Sequence, residues 1–89
     1  MKQLLRINIQ EASKICGPSC EQITHFIEEE WITPVDSEVF DDEDVTRIRL
    51  IHELMSEFGV NEEAVPIILR LIDQIHTLRI RLGSDLPGQ

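Results

Sequence analysis

The chain opens with apolar positions at the spacing of a helix surface. Ile9, Ala12 and Ile15 or Cys16 fall on one face, which predicts a first helix. Gly17-Pro18 should end that helix, because proline disfavours the helical conformation in the residue before it. A second run of apolar positions follows at the same spacing: Ile23, Phe26 and Ile27. Two short helices joined by a tight turn with a glycine predict a helix-turn-helix.

Both predicted helices carry capping signals at their first residues. Asn8 is followed three residues later by Glu11, and Ser19 is followed at the same distance by Gln22. In this capping-box pattern the two side chains satisfy backbone N–H groups that the start of a helix leaves unpaired. The pattern therefore predicts that the helices begin just after Asn8 and Ser19.

Two short runs with β-like composition follow the helix-turn-helix. They cover residues 31–33 and residues 38–40, and residues 34–37 between them have turn chemistry. Together they predict a small β-hairpin, or wing. We expect Trp31 and Phe40 to fill the core beneath it.

A third and a fourth helix complete the predicted fold. Asp41 should cap the third helix, and Gly59 suits its end. The apolar positions of that helix are Val45, Ile48, Ile51, Met55 and Phe58. Asn61 should cap the fourth helix, predicted from Glu62 to Leu82, with Pro66 early in it, where a missing N–H costs least.

The fourth helix has two apolar faces. One can pack on the preceding helices: Val65, Leu69 and Ile72. The other has the spacing of a coiled-coil seam: Leu71, Ile75, Leu78 and Leu82. A domain this small cannot bury both faces of a protruding helix, so we predict a homodimer through the seam. The alternative is a seam that folds back on its own domain.

The length of 89 residues fits one small domain, predicted over residues 1–83 with a frayed tail at 84–89. The expected class is mainly α, a winged helix-turn-helix with a long C-terminal helix. The start of the chain lacks the apolar core of a signal peptide, and no run approaches the roughly 18 apolar residues of a membrane span. We therefore expect a cytoplasmic protein in which Cys16 and Cys20 are reduced.

The charge is concentrated in one contiguous third of the chain. The net charge is −9, from 17 acidic and 8 basic residues. Residues 15–46 contain no Lys or Arg, and they hold ten acids: Glu21, Glu28, Glu29, Glu30, Asp36, Glu38, Asp41, Asp42, Glu43 and Asp44. This acidic segment is either a solvated face that keeps the protein soluble or a surface that steers a basic partner. It argues against a general nucleic-acid binder.

The order of these motifs resembles the MerR-type winged helix. The resemblance is carried by Ile9-x-x-Ala12, Gly17-x-Ser19, Ile23, Phe26, Trp31-Ile32-x-Pro34, Phe40, Asp44-Val45 and Gly59-Val60. It covers residues 8–82. A MerR-type recognition helix carries an Arg just before an aromatic pair, but this chain has Thr24 there, followed by His25 and Phe26. The wing also lacks a basic residue.

These departures bear on DNA binding. At an effective dielectric constant of about 20, each like-charge pair at about 5 Å costs about 3 kcal/mol. A base contact contributes only about 1–3 kcal/mol. DNA is therefore an unfavourable partner for this surface.

One branch of the superfamily shows such departures, the chaperone-modulator family of the CbpM type. The chain is similar to it in residues 39–42, 52–54 and 71–78. The resemblance implies a protein that binds the J-domain of a DnaJ-like co-chaperone of the curved-DNA-binding type, and inhibits its action on the DnaK-type chaperone. Within the helix-turn-helix and the acidic segment we assign partner binding to Glu21, Thr24, His25, Glu28, Glu29, Glu30, Asp36, Glu38, Asp41 and Asp42.

Two other functions stay open from the sequence. The first is a MerR-type DNA-binding transcriptional regulator, in which Arg47 and Arg49 would contact phosphates. The second is an interaction module for some other basic protein.

The sequence gives no basis for an enzyme or a cofactor. Cys16, Cys20 and His25 could suggest zinc, but they supply only three ligands, and small buried thiols are the preferred interpretation. Paired acids such as Asp41-Asp42 are explained by helix capping. We therefore expect no catalytic residue and no metal site.

Overall fold

The computed structural model describes residues 6–36 and 38–83, and four helices form within them. They are α1 (Ile9–Cys16), α2 (Cys20–Glu28), α3 (Asp42–Ser56) and α4 (Val65–Gly83). Helix α1 packs against both α2 and α3, and α4 packs against α3. The mainly helical class predicted from the sequence is confirmed.

The helix-turn-helix forms as its capping signals predict. The side chains of Asn8 and Ser19 each accept a hydrogen bond from the backbone three residues later, and both capping boxes are complete. Gly17 joins the two helices with a φ of 112°, a conformation that other residues rarely adopt. A Cβ atom there would lie 2.7 Å from the Nε2 atom of His52. The turn therefore packs directly on α3, and only glycine fits it.

The predicted β-hairpin wing is not seen. Within the described ranges 6–36 and 38–83 the structure has no strand, and only two isolated antiparallel bridges occur, Ile7 with Phe40 and Asp36 with Val39. The expected pairing of residues 31–33 with residues 38–40 is therefore wrong. Ser37, in the predicted turn, lies outside the described residues.

Competing hydrogen bonds explain why the hairpin does not form. The backbone N–H and C=O of Phe40 bond to Ile7, at 2.7 and 3.0 Å. The Trp31 N–H donates to the carbonyl of Phe26 at 2.9 Å, and the Trp31 carbonyl accepts from Arg47. The backbone N–H and C=O of Trp31, the first residue of the first expected strand, are thus already hydrogen-bonded. Those of Phe40, on the expected partner strand, are bonded to Ile7 instead.

Helices α3 and α4 are confirmed, but both ends of α4 differ from the prediction. Asp41 caps α3, and Gly59 follows that helix with a φ of 68°. Helix α4 begins at Val65 instead of Glu62, because Asn61 accepts the Ala64 N–H through both its side chain and its carbonyl and holds a separate turn. The helix ends at Gly83, one residue later than predicted. The predicted tail, residues 84–89, lies outside the described residues.

The core lies between the helix-turn-helix and α3. Its buried side chains are Ala12, Cys16, Ile23, Phe26, Trp31, Ile32, Phe40, Val45, Ile48, Ile51, Val65 and Leu69. Trp31 and Phe40 are therefore core residues, as predicted. Val65 and Leu69 bury the first face of α4, and Ile72 is half-buried.

The second apolar face of α4 is not covered by the described part of the chain. Leu71, Ile75, Leu78 and Leu82 are 48–55% exposed. The seam does not fold back on the described domain. No helix in residues 6–36 and 38–83 has the length and apolar character needed to cross a membrane.

Candidate interaction surface

Helix α2 presents acids on its exposed face. Glu21, Thr24 and Glu28 are exposed and recur at helical spacing, while Ile23 and Phe26 face the core. The Thr24 hydroxyl donates back to the carbonyl of Cys20 at 2.9 Å. Thr24, at the position where a MerR-type helix carries Arg, can therefore only accept a hydrogen bond from a partner through its hydroxyl oxygen.

Two more acids follow at the end of α2. Glu29 is its C-cap residue, and Glu30 has a φ of 64°, in the left-handed region. The chain changes direction at Glu30, so Trp31 lies in the core while the carboxylates of Glu29 and Glu30 stay exposed. Three consecutive glutamates thus occupy the C-terminal end of the recognition helix, where the helix dipole offers them no stabilisation.

His25 is already engaged within the protein. Its Nε2 atom lies 3.1 Å from the Oε1 atom of Glu62, in the turn before α4. Its ring packs edge-on against Trp31, with centroids 5.6 Å apart. The hydrogen bond to Glu62 raises the pKa of His25, and the charges of Glu29 and Glu28 add to the effect. His25 therefore ties α2 to the chain before α4, a role that sequence reasoning did not predict.

The raised pKa of His25 leads to a pH-dependent contribution to stability. The proton stabilises the folded state below the unfolded pKa of about 6.5, and this contribution is lost as pH rises through the folded pKa. An NMR titration should place the His25 pKa above 6.5, and Glu62→Gln should lower it. Glu63→Gln, beside that partner, is the control and should leave the pKa in place. A pKa that Glu62→Gln leaves unchanged would contradict the assigned cause.

The acids between α2 and α3 divide into structural and exposed groups. Asp36 accepts the backbone N–H of Glu38 at 3.0 Å. Asp41 and Asp44 cap α3 reciprocally, with contacts of 3.0 and 3.1 Å. Burial raises the pKa of Asp44, and the backbone N–H of Asp41 opposes that rise. All acids of the acidic segment are exposed except Asp41 and Asp44, which are half-buried.

Arg47 connects the acidic segment to α4. Its Nε atom donates to the Trp31 carbonyl at 2.6 Å, and its two terminal nitrogens donate to both carboxylate oxygens of Asp73 at 2.9 and 3.1 Å. This bidentate pairing holds the pKa of the Asp73 carboxyl below its usual range. Arg49 donates to the carbonyl of Ile15 at 3.4 Å. Both arginines of the DNA-binding hypothesis thus contact the protein's own backbone.

Two open grooves meet at the Arg47–Asp73 ion pair, since Glu30, Trp31, Arg47 and Asp73 line both. One, of about 670 Å³, also has Glu29, Arg70, Gln74, Thr77 and Arg81 in its lining. We call it the neutral groove. The other, of about 730 Å³, runs along the start of α3 and is also lined by Asp42, Glu43, Asp44, Leu50, Ile72 and His76. We call it the acidic groove.

The cysteines do not form a metal site with His25. Cys16 is buried and its thiol lies 3.5 Å from the carbonyl of Val45, while the thiol of Cys20 lies 3.8 Å from the carbonyl of Ile9. Burial raises the pKa of the Cys16 thiol. In residues 6–36 and 38–83, no three His, Cys, Asp or Glu side chains are grouped to hold a metal ion. Cys16 is a buried thiol as predicted, and Cys20 is only partly buried.

Helices α1 and α2, joined by the tight turn at Gly17, form a helix-turn-helix. The sequence matches the family model described as MerR HTH family regulatory protein over residues 7–84. The chain therefore belongs to the MerR family of helix-turn-helix regulatory proteins. A comparison with curated proteins finds no match. The family is described as regulatory, which favours the expectation that the chain is not an enzyme.

Proposed function

We propose that this protein binds the J-domain of a DnaJ-like co-chaperone and inhibits that co-chaperone's action on its DnaK-type chaperone. The observation that carries the proposal is the exposed acidic segment, without a single Lys or Arg, on the helix-turn-helix. A J-domain engages its chaperone through a basic helix. A rigid acidic surface that covers this helix would exclude the chaperone, so the mechanism is occlusion and requires no catalysis.

The acidic side chains are available for such contacts. Glu21, Glu28, Glu29 and Glu30 are all exposed, and the helix beneath them is fixed by its capping box. A rigid scaffold limits the ordering cost of binding, and complementary charge raises the association rate. The same features argue against phosphates as ligands.

A MerR-type DNA-binding regulator is the second candidate, and the family match favours it. Two observations weigh against it. Thr24 replaces the expected Arg of the recognition helix, and Arg47 and Arg49 contact the protein's own carbonyl groups. No base in residues 15–46 offsets the repulsion from the phosphates.

We further propose that the protein is a homodimer through the α4 seam. The four seam side chains are about half exposed at the spacing of a coiled coil. A second copy offers the same apolar stripe and would cover it. A dimer would carry two acidic surfaces, one on each copy.

Calorimetric titration of the J-domain with this protein at about 50 and about 300 mM salt tests the proposed function. We expect saturable binding that weakens at the higher salt, since exposed charges are screened there. The stoichiometry gives the number of sites used per dimer. Absence of binding at low salt would contradict the proposal. Duplex DNA is titrated in parallel, and a salt-dependent DNA signal without a J-domain signal would favour the regulator.

A further inference from the structure

We propose that the acidic groove is the docking site for the basic helix of the J-domain. The cationic side chains of that helix would lie at the rim formed by Glu30, Asp42 and Glu43, and an apolar side chain would lie against Leu50 and Ile72. This inference rests on the proposed function and adds the place and orientation of binding.

Charge distinguishes the two grooves, which are similar in volume. The neutral groove has three acids, Glu29, Glu30 and Asp73, and three arginines, Arg47, Arg70 and Arg81. The acidic groove has five acids against the single arginine Arg47, which is paired with Asp73. The other four acids have no Lys or Arg in the lining to pair with. A basic helix is therefore attracted to the acidic groove and meets no net charge in the neutral one.

The floor of the acidic groove supplies apolar contact. Leu50 of α3 and Ile72 of α4 both line it and are only half-buried by the described residues. Trp31 also lines both grooves. Apolar side chains beneath an acidic rim match a helix with one apolar stripe flanked by Lys or Arg. A purely basic, unstructured segment would leave the floor uncovered.

The rim acids are free to contact such a helix. Asp42 and Glu43 occupy the first turn of α3, are exposed, and make no side-chain hydrogen bond within the described residues. Asp44, by contrast, is committed to the cap with Asp41. Neutralising Asp42 and Glu43 therefore changes the rim without removing the helix cap.

The charge contribution is tested with Asp42→Asn/Glu43→Gln in the calorimetric titration with the J-domain. We expect Kd to rise at least about 10-fold at about 50 mM salt. The control is Glu53→Gln/Glu57→Gln, which removes the same charge from exposed positions outside both grooves. Its Kd should stay within about 3-fold of the unaltered protein.

The apolar contribution is tested with Ile72→Ala, which should raise Kd by about 5-fold at both salt concentrations. Ile80→Ala is the matched control, since Ile80 is 61% exposed on the same helix and lines neither groove. Thermal unfolding establishes that both variants fold. If Ile72→Ala fails to fold, the charge variants still decide the outcome, because their positions are exposed.

The outcomes separate this inference from the proposed function. If the groove variants bind as tightly as their controls while Glu28→Lys/Glu29→Lys loses binding, the J-domain binds at α2 and the groove assignment is overturned alone. If the unaltered protein does not bind the J-domain, both are overturned. Selective loss in the groove variants supports both.

Discussion

Replacing Glu28 and Glu29 together with lysine should abolish binding to the J-domain. The two residues directly precede Glu30, which lines the acidic groove, and the change makes this end of α2 repel a basic partner that it would otherwise attract, with a difference of four charges. Close charge pairs across interfaces contribute about 1.5–7 kcal/mol. We therefore expect Kd to rise by at least about 100-fold, equivalent to about 2.7 kcal/mol. Calorimetry at about 50 mM salt measures it.

The fold should tolerate this reversal. Both residues are exposed, and they lie at the C-terminal end of α2, where lysine suits the helix dipole. Glu53→Lys/Glu57→Lys makes the same change in net charge outside the acidic segment and is the control. Equal losses in the two double variants would show an effect of net charge alone. Unchanged affinity in the first would exclude α2 from the binding surface.

The double substitution Leu71→Glu/Leu78→Glu should convert the proposed homodimer to a monomer of 10.3 kDa. A fully buried leucine contributes about 1.5–3 kcal/mol relative to an exposed one, and a dimer loses four leucines at once. The new carboxylates would also have to leave water without a partner. Sedimentation equilibrium at several protein concentrations measures the mass directly.

The control for the seam variant is Ile80→Glu. Ile80 is also exposed on α4 but lies off the seam spacing, so its substitution should leave the mass of the dimer unchanged. Circular dichroism should show retained helix content in both variants. An unaltered protein that sediments as a monomer at about 100 μM would contradict the dimer itself, because obligate interfaces persist at that concentration.

The parts of the fold that were predictable depend on residues close together in the chain. The caps at Asn8, Ser19 and Asp41 each involve a partner three residues away, so the sequence displays them directly. Whether residues 31–33 and 38–40 could pair into a wing depended on whether their backbone N–H and C=O groups were already hydrogen-bonded elsewhere. Phe40 pairs with Ile7, more than thirty residues away, and no local sequence pattern predicts that pairing.

On the candidate surface, too, features set by residues close together in the chain were predictable, and contacts between distant residues were not. Helical spacing predicted that Glu21 and Glu28 would be exposed, because it separates the core face of α2 from the outer face. It gave no signal for His25 with Glu62, which are 37 residues apart. It also missed the pairing of Arg47 with Asp73 across 26 residues. Such contacts between polar side chains require the helices to be placed in space first.

Arg47 has a mechanical consequence for any assembly of two copies. Three hydrogen bonds from its guanidinium join the loop at Trp31 to α4 at Asp73 and hold the two elements together. The loop precedes the acidic rim of α3, and α4 carries the seam. A tilt of α4 would have to break the two bonds to Asp73 together. In the proposed dimer this contact would hold the two acidic surfaces at a fixed separation, so partners would be selected by their span as well as by their charge.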